Sequence, residues 1–571
     1  MSVAVAVARP TRIRLRTWQS EALERFRAAT RPDFLAVATP GAGKTTFALT
    51  AAAQDLAEHP GRRLVVVAPT QHLKHQWAAA AARFRLHLEP EWSAADGELP
   101  GDVHGIVTTY QQVATSSRRL AGLSRGAFVV LDELHHAGDD RAWGTAVAEA
   151  FDGAARRLAL SGTPFRSDAS PIPFVEYHLG EARPDFEYGY GDALGDRGVV
   201  RPVYFPRVNG FMEWVAPDGE VVAATFDDEL SRERANQRLR TALSLEGQWL
   251  PTVLDQAQER LSVLRRDHPA AGGLVIASDQ AHAAAIAELL VRRHGVRAVV
   301  ATSDDPDATA RIARYAGSDD EWIVAVRMVS EGVDIPRLRI AVYATTTTTE
   351  LFFRQAVGRV VRWTPGVPRQ KAWFFVPDDP RLRRYAAEVA EARRHQLHRR
   401  RERSVEPSDR PDELALDDDE QLSLFAVIGA VALDTAGTGH DRPAAGAPGG
   451  AAGVFADDDE AELVAPGDDS GVELVLLPPP LPGGGHARPD PAAGTGPDGG
   501  DDTRSASQVR VALRDANADI AADLVRVTGW SPPAVNKELN RLAGIRKVSE
   551  ASVEQLRRRL DHAGAWLRRV T

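Results

Sequence analysis

Short runs of consecutive apolar residues alternate with helically spaced stretches over the first 190 positions. The clearest runs are Phe34–Val37, Leu64–Ala68, Ile106–Thr109, Phe128–Leu131 and Arg157–Leu160. Runs that are apolar at every position, not at alternate ones, predict strands covered on both faces. Strands of that kind separated by helices predict a parallel sheet. A second series begins near Leu274 and continues through Ile323–Val326, Ile340–Tyr343 and Trp373–Val376. The expectation is an α/β chain with parallel-sheet domains over residues 1–190 and 271–403. Residues 191–270 carry few chemical cues and read as a connecting or accessory segment.

The pattern lapses over residues 404–504, which are rich in Gly, Pro, Ala and Asp. Up to Asp502 the only aromatics are Phe425 and Phe455. Such a segment buries too little apolar surface to offset chain entropy, so a disordered linker is expected. Order returns over 505–571. Ser531-Pro532 reads as a cap followed by proline at the first helical position, and Ser552 with Gln555 as a capping box. Val553, Leu556, Leu560 and Leu567 mark one helix face. Three short helices with a turn at Gly529 predict a small helix-turn-helix-like α-helical module.

Composition narrows the class. None of the 571 residues is cysteine, which excludes disulfides, cysteine-ligated zinc and thiol chemistry. No run approaches the length of a membrane span, and Val3–Ala8 is too short for a signal-peptide core, so a cytoplasmic protein without a membrane partner is expected. The net charge of −10 conceals an asymmetry. Residues 404–502 carry −19, residues 503–571 carry +6 and residues 1–403 carry +3. The parts expected to fold are mildly basic, which suits a polyanionic partner without proving one.

The sharpest chemistry lies at Ala38–Thr45, A-T-P-G-A-G-K-T, directly after an apolar run. A strand breaking into a glycine turn that ends in Lys-Thr is a phosphate cradle. Thr39, Gly41, Gly43, Lys44, Thr45 and Thr46 are its candidate nucleotide-binding residues. Lys44 supplies charge for the β and γ phosphates, and the Thr45 hydroxyl can hold Mg²⁺. Ala38 stands where a first glycine is usual. Downstream, Leu131-Asp132-Glu133-Leu134-His135 ends a buried strand in two carboxylates. Asp132 can hold Mg²⁺ directly or through water, and Glu133 can orient and deprotonate an attacking water. His135 either couples the nucleotide site to the second domain or simply packs.

With these motifs in this order, residues 10–400 resemble the superfamily-2 helicases and translocases of the DExH type, near the translocating subunits of restriction systems and the XPB-like helicases. The resemblance implies two RecA-like domains in tandem with ATP and Mg²⁺ bound between them. It implies an adenine contact at Gln19, within Arg16-Thr17-Trp18-Gln19. It implies nucleic-acid contacts at Pro69 and Thr70 and at Thr108 and Thr109, and coupling through Ser161 and Thr163 beside His135. Ser330–Pro336 resembles the fifth motif, with Gly332 and Asp334 near the nucleotide. Gln355–Arg362 resembles the sixth, with Gln355, Arg359 and Arg362 catalytic. On a helix, Arg359 and Arg362 share a face, and an arginine aimed at the γ-phosphate stabilises transition-state charge.

The resemblance implies an ATP-dependent DNA helicase or duplex translocase of repair, replication or phage defence, working at the nucleoid. Two alternatives stand: an RNA helicase, and an ATP-switched nucleic-acid clamp that does not unwind. No endonuclease activity is expected, because the Asp-rich linker has no lysine. Gln421-Leu422-Ser423-Leu424-Phe425 resembles the pentapeptide that docks bacterial proteins on the replication sliding clamp. It also reads as a short apolar element packing on the core. Arg557, Arg558, Arg559, Arg568 and Arg569 could hold DNA phosphates, or form the solvated face of a plain bundle.

Overall fold

The computed structural model describes residues 11–94, 99–135, 141–162, 172–178, 181–196, 198–302, 307–326, 335–404, 471–482 and 506–570. The chain forms two compact units, Met1–Gly189 with Ser470–Thr571, and Tyr190–Asp469.

The first unit opens with β1 (Thr11–Leu15) and α1 (Thr17–Ala28). It continues with β2 (Asp33–Ala38), α2 (Lys44–Glu58), β3 (Leu64–Ala68), α3 (Gln71–Arg83) and β4 (Leu88–Glu89). Then come β5 (Gly105–Thr109), α4 (Tyr110–Ser124), β6 (Phe128–Leu131), α5 (Arg141–Phe151) and β7 (Arg156–Ser161). Seven parallel strands lie in the order Phe186–Tyr188, β2, β7, β6, β3, β5, β4. β3, L-V-V-V-A, is buried at every position, as a strand covered on both faces must be. The apolar runs read from the sequence are these strands.

The second unit repeats the plan. Its sheet runs Val203–Tyr204, Ala372–Pro377, Leu338–Ala344, Gly272–Ala277, Trp322–Val326, Ala298–Thr302, all parallel. Residues 191–270 contribute an antiparallel hairpin, Phe211–Val215 with Val221–Thr225, and the helices Arg232–Ala242 and Trp249–Asp267. Trp249, Leu254 and Leu261 of the latter helix join the core beneath this sheet. Among the described residues, no helix is long and apolar enough to cross a membrane.

One stretch of the expected linker is a strand. Val472–Leu476 pairs antiparallel with β1, Thr11 opposite Leu476 and Leu15 opposite Val472. Its run V-E-L-V-L has no core of its own; of its residues Leu476, opposite Thr11, is buried, while Val472 and Val475 stay exposed. The Gln421–Phe425 pentapeptide lies outside the described residues.

The same strap is pinned by a neutral histidine. His104 Nδ1 faces the His87 amide at 2.9 Å, and Nε2 lies 3.3 Å from the Pro479 carbonyl. Nδ1 therefore accepts, and Nε2 carries the proton. Burial above all, with His87 and Arg63 adding to it against the Pro479 bond, lowers the His104 pKa to about 4. An unfolded histidine binds a proton near pH 6.5, which the fold refuses until about 4. Stability is therefore full above 6.5 and falls by up to about 3 kcal/mol as pH drops through this window. Urea unfolding at pH 7 and pH 4.5 should show a shallower pH dependence in His104→Gln than in the parent. Equal slopes would assign the effect to other groups.

The C-terminal helices, Ala506–Thr528, Pro532–Ala543 and Val553–Val570, pack around Leu524, Val535, Leu539 and Ala563. Pro532 opens the second helix, and the Ser552–Gln555 capping box is formed, with bonds of 2.9 and 3.2 Å. Arg559 is not on a phosphate-facing surface. It is buried, and it donates to the carbonyl oxygens of Asn517, Asn536 and Asn540, one or two from each neighbouring helix, at 2.6–2.9 Å. Its place in the helical repeat, three residues after Leu556, puts it on the core face.

Candidate functional site

In a parallel sheet every strand delivers its carboxyl end to the same edge, so motifs distant in sequence meet there. β2 runs into the cradle, where Gly41 (φ +85°) and Gly43 (φ +96°) take left-handed backbone that side chains resist. α2 begins at Lys44, directing its first-turn amides and the positive end of its dipole at the turn. Ala38 is the fully buried last residue of β2, so its methyl packs in the sheet rather than entering the turn. Two residues of the upstream element clamp the cradle from outside. Trp18 Nε1 and Arg16 Nη1 both donate to the Ala42 carbonyl, at 3.1 and 3.0 Å. Gln19 donates to the Gly43 carbonyl at 2.9 Å and accepts from the Arg16 amide at 2.8 Å. One end of the Gln19 amide thus holds the cradle while the other caps its own helix at Arg16. A Cβ on Gly43 would sit 2.7 Å from the movable Gln19 Nε2, so it is the left-handed φ of +96° that calls for glycine here.

Lys44 Nζ meets Glu133 Oε1 at 2.6 Å. The strand β7 lies between β2 and β6, and the residue at its exit is Gly162. Its amide donates to Glu133 Oε2 at 3.0 Å. A Cβ there would stand 3.1 Å from Lys44 Nζ and 3.5 Å from Glu133 Oε1, so the pair closes over a glycine gap. Glu133 itself has φ +48°, a turn unusual for a side-chain-bearing residue. His135 is buried, with Nδ1 3.6 Å from Glu133 Oε2 and 3.4 Å from Ser161 Oγ. Burial acts most strongly on Glu133 and pushes its pKa up. Lys44, His135 and the Gly162 N–H together outweigh it and hold the carboxyl at about 2. The group is a carboxylate at neutral pH, tied to a cation.

Asp132 is buried beside it. Trp77 Nε1 donates to its Oδ2 at 2.8 Å and the Tyr110 hydroxyl to its backbone carbonyl at 2.9 Å. A helix N-terminus, a glycine turn and an ammonium suit a polyphosphate. Asp132 and the hydroxyl of Thr45 suit its divalent cation. Pro69 and Thr70 follow β3, half-buried, with Thr70 at the N-cap of α3. Thr108 and Thr109 are buried. Thr109 caps α4 by accepting from the Gln112 amide, and Thr108 donates to Gln112 Oε1, as does the buried Lys74. Their hydroxyls serve the helix start rather than an open surface.

In the second unit, Gln355 and Arg359 lie on the helix Glu350–Val360, half-buried. Arg362 does not share that helix. The helix ends at Val360, and Arg362 forms a backbone bridge with Val200, so the shared-face argument for Arg359 and Arg362 fails. Arg201 draws the chain away: its amide donates to the Val361 carbonyl, and its buried guanidinium donates to Arg362 O, Pro336 O and Thr364 Oγ1. Thr163, Gly332 and Asp334 lie outside the described residues.

Residues 12–166 match the family model described as type III restriction enzyme, res subunit. Over these residues the chain is similar to the superfamily-2 helicase-like proteins. The chain is 46% identical over 403 residues to the uncharacterized protein Rv2917 of Mycobacterium tuberculosis, covering 69% of the chain. It spans 66% of that relative, just under two thirds of its length. The uncharacterized protein ML1624 of Mycobacterium leprae is 46% identical over 390 residues, covering 67% of this chain and 65% of that one. Among solved structures, it is similar to a fragment of an HsdR subunit of a type I restriction enzyme from Vibrio vulnificus. The TM-score is 0.45 with 16% identity, covering 65% of each chain. It is also similar to the type ISP restriction-modification enzyme LlaBIII, at a TM-score of 0.45 and 14% identity, covering 66% of this chain and 30% of that one.

Four residues of the helicase-like sites escaped the sequence reading of roles. Gly162 sits inside a motif that the sequence offers, and its smallness is the signal. Tyr110 closes the Thr108-Thr109-Tyr110 string that resembles a nucleic-acid motif, whereas Trp77 and Arg201 carry no such signal and acquire their roles only from the fold.

Proposed function

We propose that this chain is a cytoplasmic, nucleoid-associated ATP-dependent DNA helicase or duplex translocase. The observation that carries this reading is the Lys44–Glu133 pair, closed over Gly162 at the carboxyl edge of the first sheet. A cation for phosphate and an ionised carboxylate are the two groups that nucleotide hydrolysis needs within reach of each other. When bound, ATP supplies the phosphoanhydride bond and Mg²⁺ neutralises its phosphates. Lys44 and Thr45, with Thr39, Gly41, Gly43 and Thr46, hold the triphosphate, and Thr45 and Asp132 hold the metal. Glu133, released from Lys44, orients a water. Gln19 reads adenine at the cradle it already braces. Gly332, Asp334, Gln355, Arg359 and Arg362 complete the nucleotide and catalytic set.

His135 touches both Glu133 and Ser161, and this supports coupling through Ser161 and Thr163. For the nucleic-acid backbone, the half-buried Pro69 and Thr70 are better placed than the buried side chains of Thr108 and Thr109, which shape the start of α4.

Steady-state ATP turnover with no nucleic acid, single-stranded DNA, duplex DNA and RNA tests the reading. Strong stimulation by one DNA form is expected. Stimulation by RNA alone would replace DNA with RNA as substrate. Turnover indifferent to every nucleic acid would overturn the motor.

A further inference from the structure

The first and third C-terminal helices, Ala506–Thr528 and Val553–Val570, run side by side in the same direction. Arg514 reaches the Ser549 carbonyl, Asn517 the Leu556 carbonyl, and Gly564 lies against Ile520. Their starts lie at Arg510 and Asp102, where the module meets the first sheet. Their ends lie about 25 Å away, at 1.5 Å per helical residue. At that far pole the chain turns through Gly529 (φ +71°) and presents Trp530. Trp530 is 49% exposed and stands edge-on to Trp566, ring centres 5.3 Å apart and planes at 73°. Val527 and Val570 are exposed on the same helix ends.

The charge around this pair has one sign. Residues 526–537 and 562–570 contain Arg526, Lys537, Arg568 and Arg569, and no carboxylate. The acids that follow along the chain stand back from the pole. Asp523 pairs with Arg526, Glu538 pairs with Arg541, and Asp561 lies more than a turn before Trp566. Arg568 and Arg569 are both exposed.

An apolar partner surface would explain the valines but not the exposed cations Lys537, Arg568 and Arg569. A duplex would use the cations but offers its bases stacked inward, leaving the indole without a partner. An unpaired strand uses both, its phosphates on the arginines and a base on the exposed indole. We propose that this pole is a stacking platform for a single-stranded nucleic acid. The proposal rests on the reading of the chain as a nucleic-acid enzyme. It adds a second, nucleotide-independent grip, carried by a module that is part of the first unit.

The test is fluorescence anisotropy with the full chain and no ATP. The probes are an oligothymidylate of about 20 nucleotides, an oligouridylate and a duplex of the same length, several times the site of a small binding domain. Trp530→Ala should weaken binding of both single strands about tenfold and duplex binding little, with an unchanged melting midpoint. Trp530→Phe, which keeps a stacking face, should recover most of the loss. Replacing Arg568 and Arg569 with alanine should weaken every probe and flatten the salt dependence. A loss confined to thymidylate or to uridylate supports the platform and names its strand as DNA or RNA. Unchanged single-strand binding in Trp530→Ala, or an equal loss on duplex, overturns the platform and leaves the motor standing. A parent protein that binds no probe without ATP overturns the platform, and the motor is then decided by its own ATP-turnover test.

Discussion

Replacing Lys44 with alanine is expected to lower ATP turnover by about a thousandfold or more while the protein remains folded. Two effects act together. The cradle loses the ammonium at its helix start, so charge developing on the phosphates is less well answered. Glu133 loses the partner that does most to keep it ionised. Burial is the strongest influence on this carboxyl and acts upward, so without the ammonium 2.6 Å away its pKa rises from about 2. Any fraction of Glu133 that becomes protonated can no longer accept a proton from the water it orients. The fold should survive, because Lys44 begins α2 at its N-terminus and leaves the helix interior intact. Steady-state turnover alongside a melting curve checks both halves. Turnover within tenfold of the parent would remove this site from the chemistry.

The nucleotide side of the first unit was legible because strand, turn and helix each announce themselves locally. The apolar run of β2, the two left-handed glycines and the Lys-Thr helix start lie within fifteen residues, and none depends on distant contacts. The pairing of Lys44 with Glu133 was implied only by order along the chain. It takes the sheet, with β7 set between β2 and β6, to show why Gly162 is the residue that lets them touch. Legibility ended where a role depended on tertiary context. Thr108 and Thr109 sit in a motif-like string, yet the start of α4 claims both hydroxyls. Arg359 and Arg362 are correctly spaced for one face, but Arg201, over 150 positions upstream, ends the shared geometry by binding the chain after Val360. Composition misled in the same way. A Gly-, Pro- and Asp-rich stretch hides V-E-L-V-L, which forms a strand because β1 supplies a partner to pair with.

Replacing Arg510 with alanine is expected to destabilise the first unit by about 3 kcal/mol and to loosen the C-terminal helices before the sheet. Arg510 is 1% exposed. Its Nη1 donates to Asp102 Oδ1 at 3.0 Å, and its Nε lies 3.3 Å from Glu89 Oε2, an ion pair off hydrogen-bond geometry. Asp102 Oδ2 accepts the Val553 amide, so the same carboxylate caps the third helix. One arginine therefore joins β4, the loop before β5 and two helices of the module. Removing it takes an ion pair from the buried carboxylate of Glu89, which Lys74 still faces, and this keeps the loss toward the lower end for a broken buried pair. The contribution comes mainly from compensation, not from net attraction. Arg510→Met combined with Glu89→Gln should therefore recover much of the loss, since neither residue then buries a lone charge. Urea unfolding gives the magnitude, and amide hydrogen exchange over residues 506–570 shows where the looseness begins. A single variant as stable as the parent, with the helices equally protected, would mean that the apolar contacts of the module hold it in place without the latch.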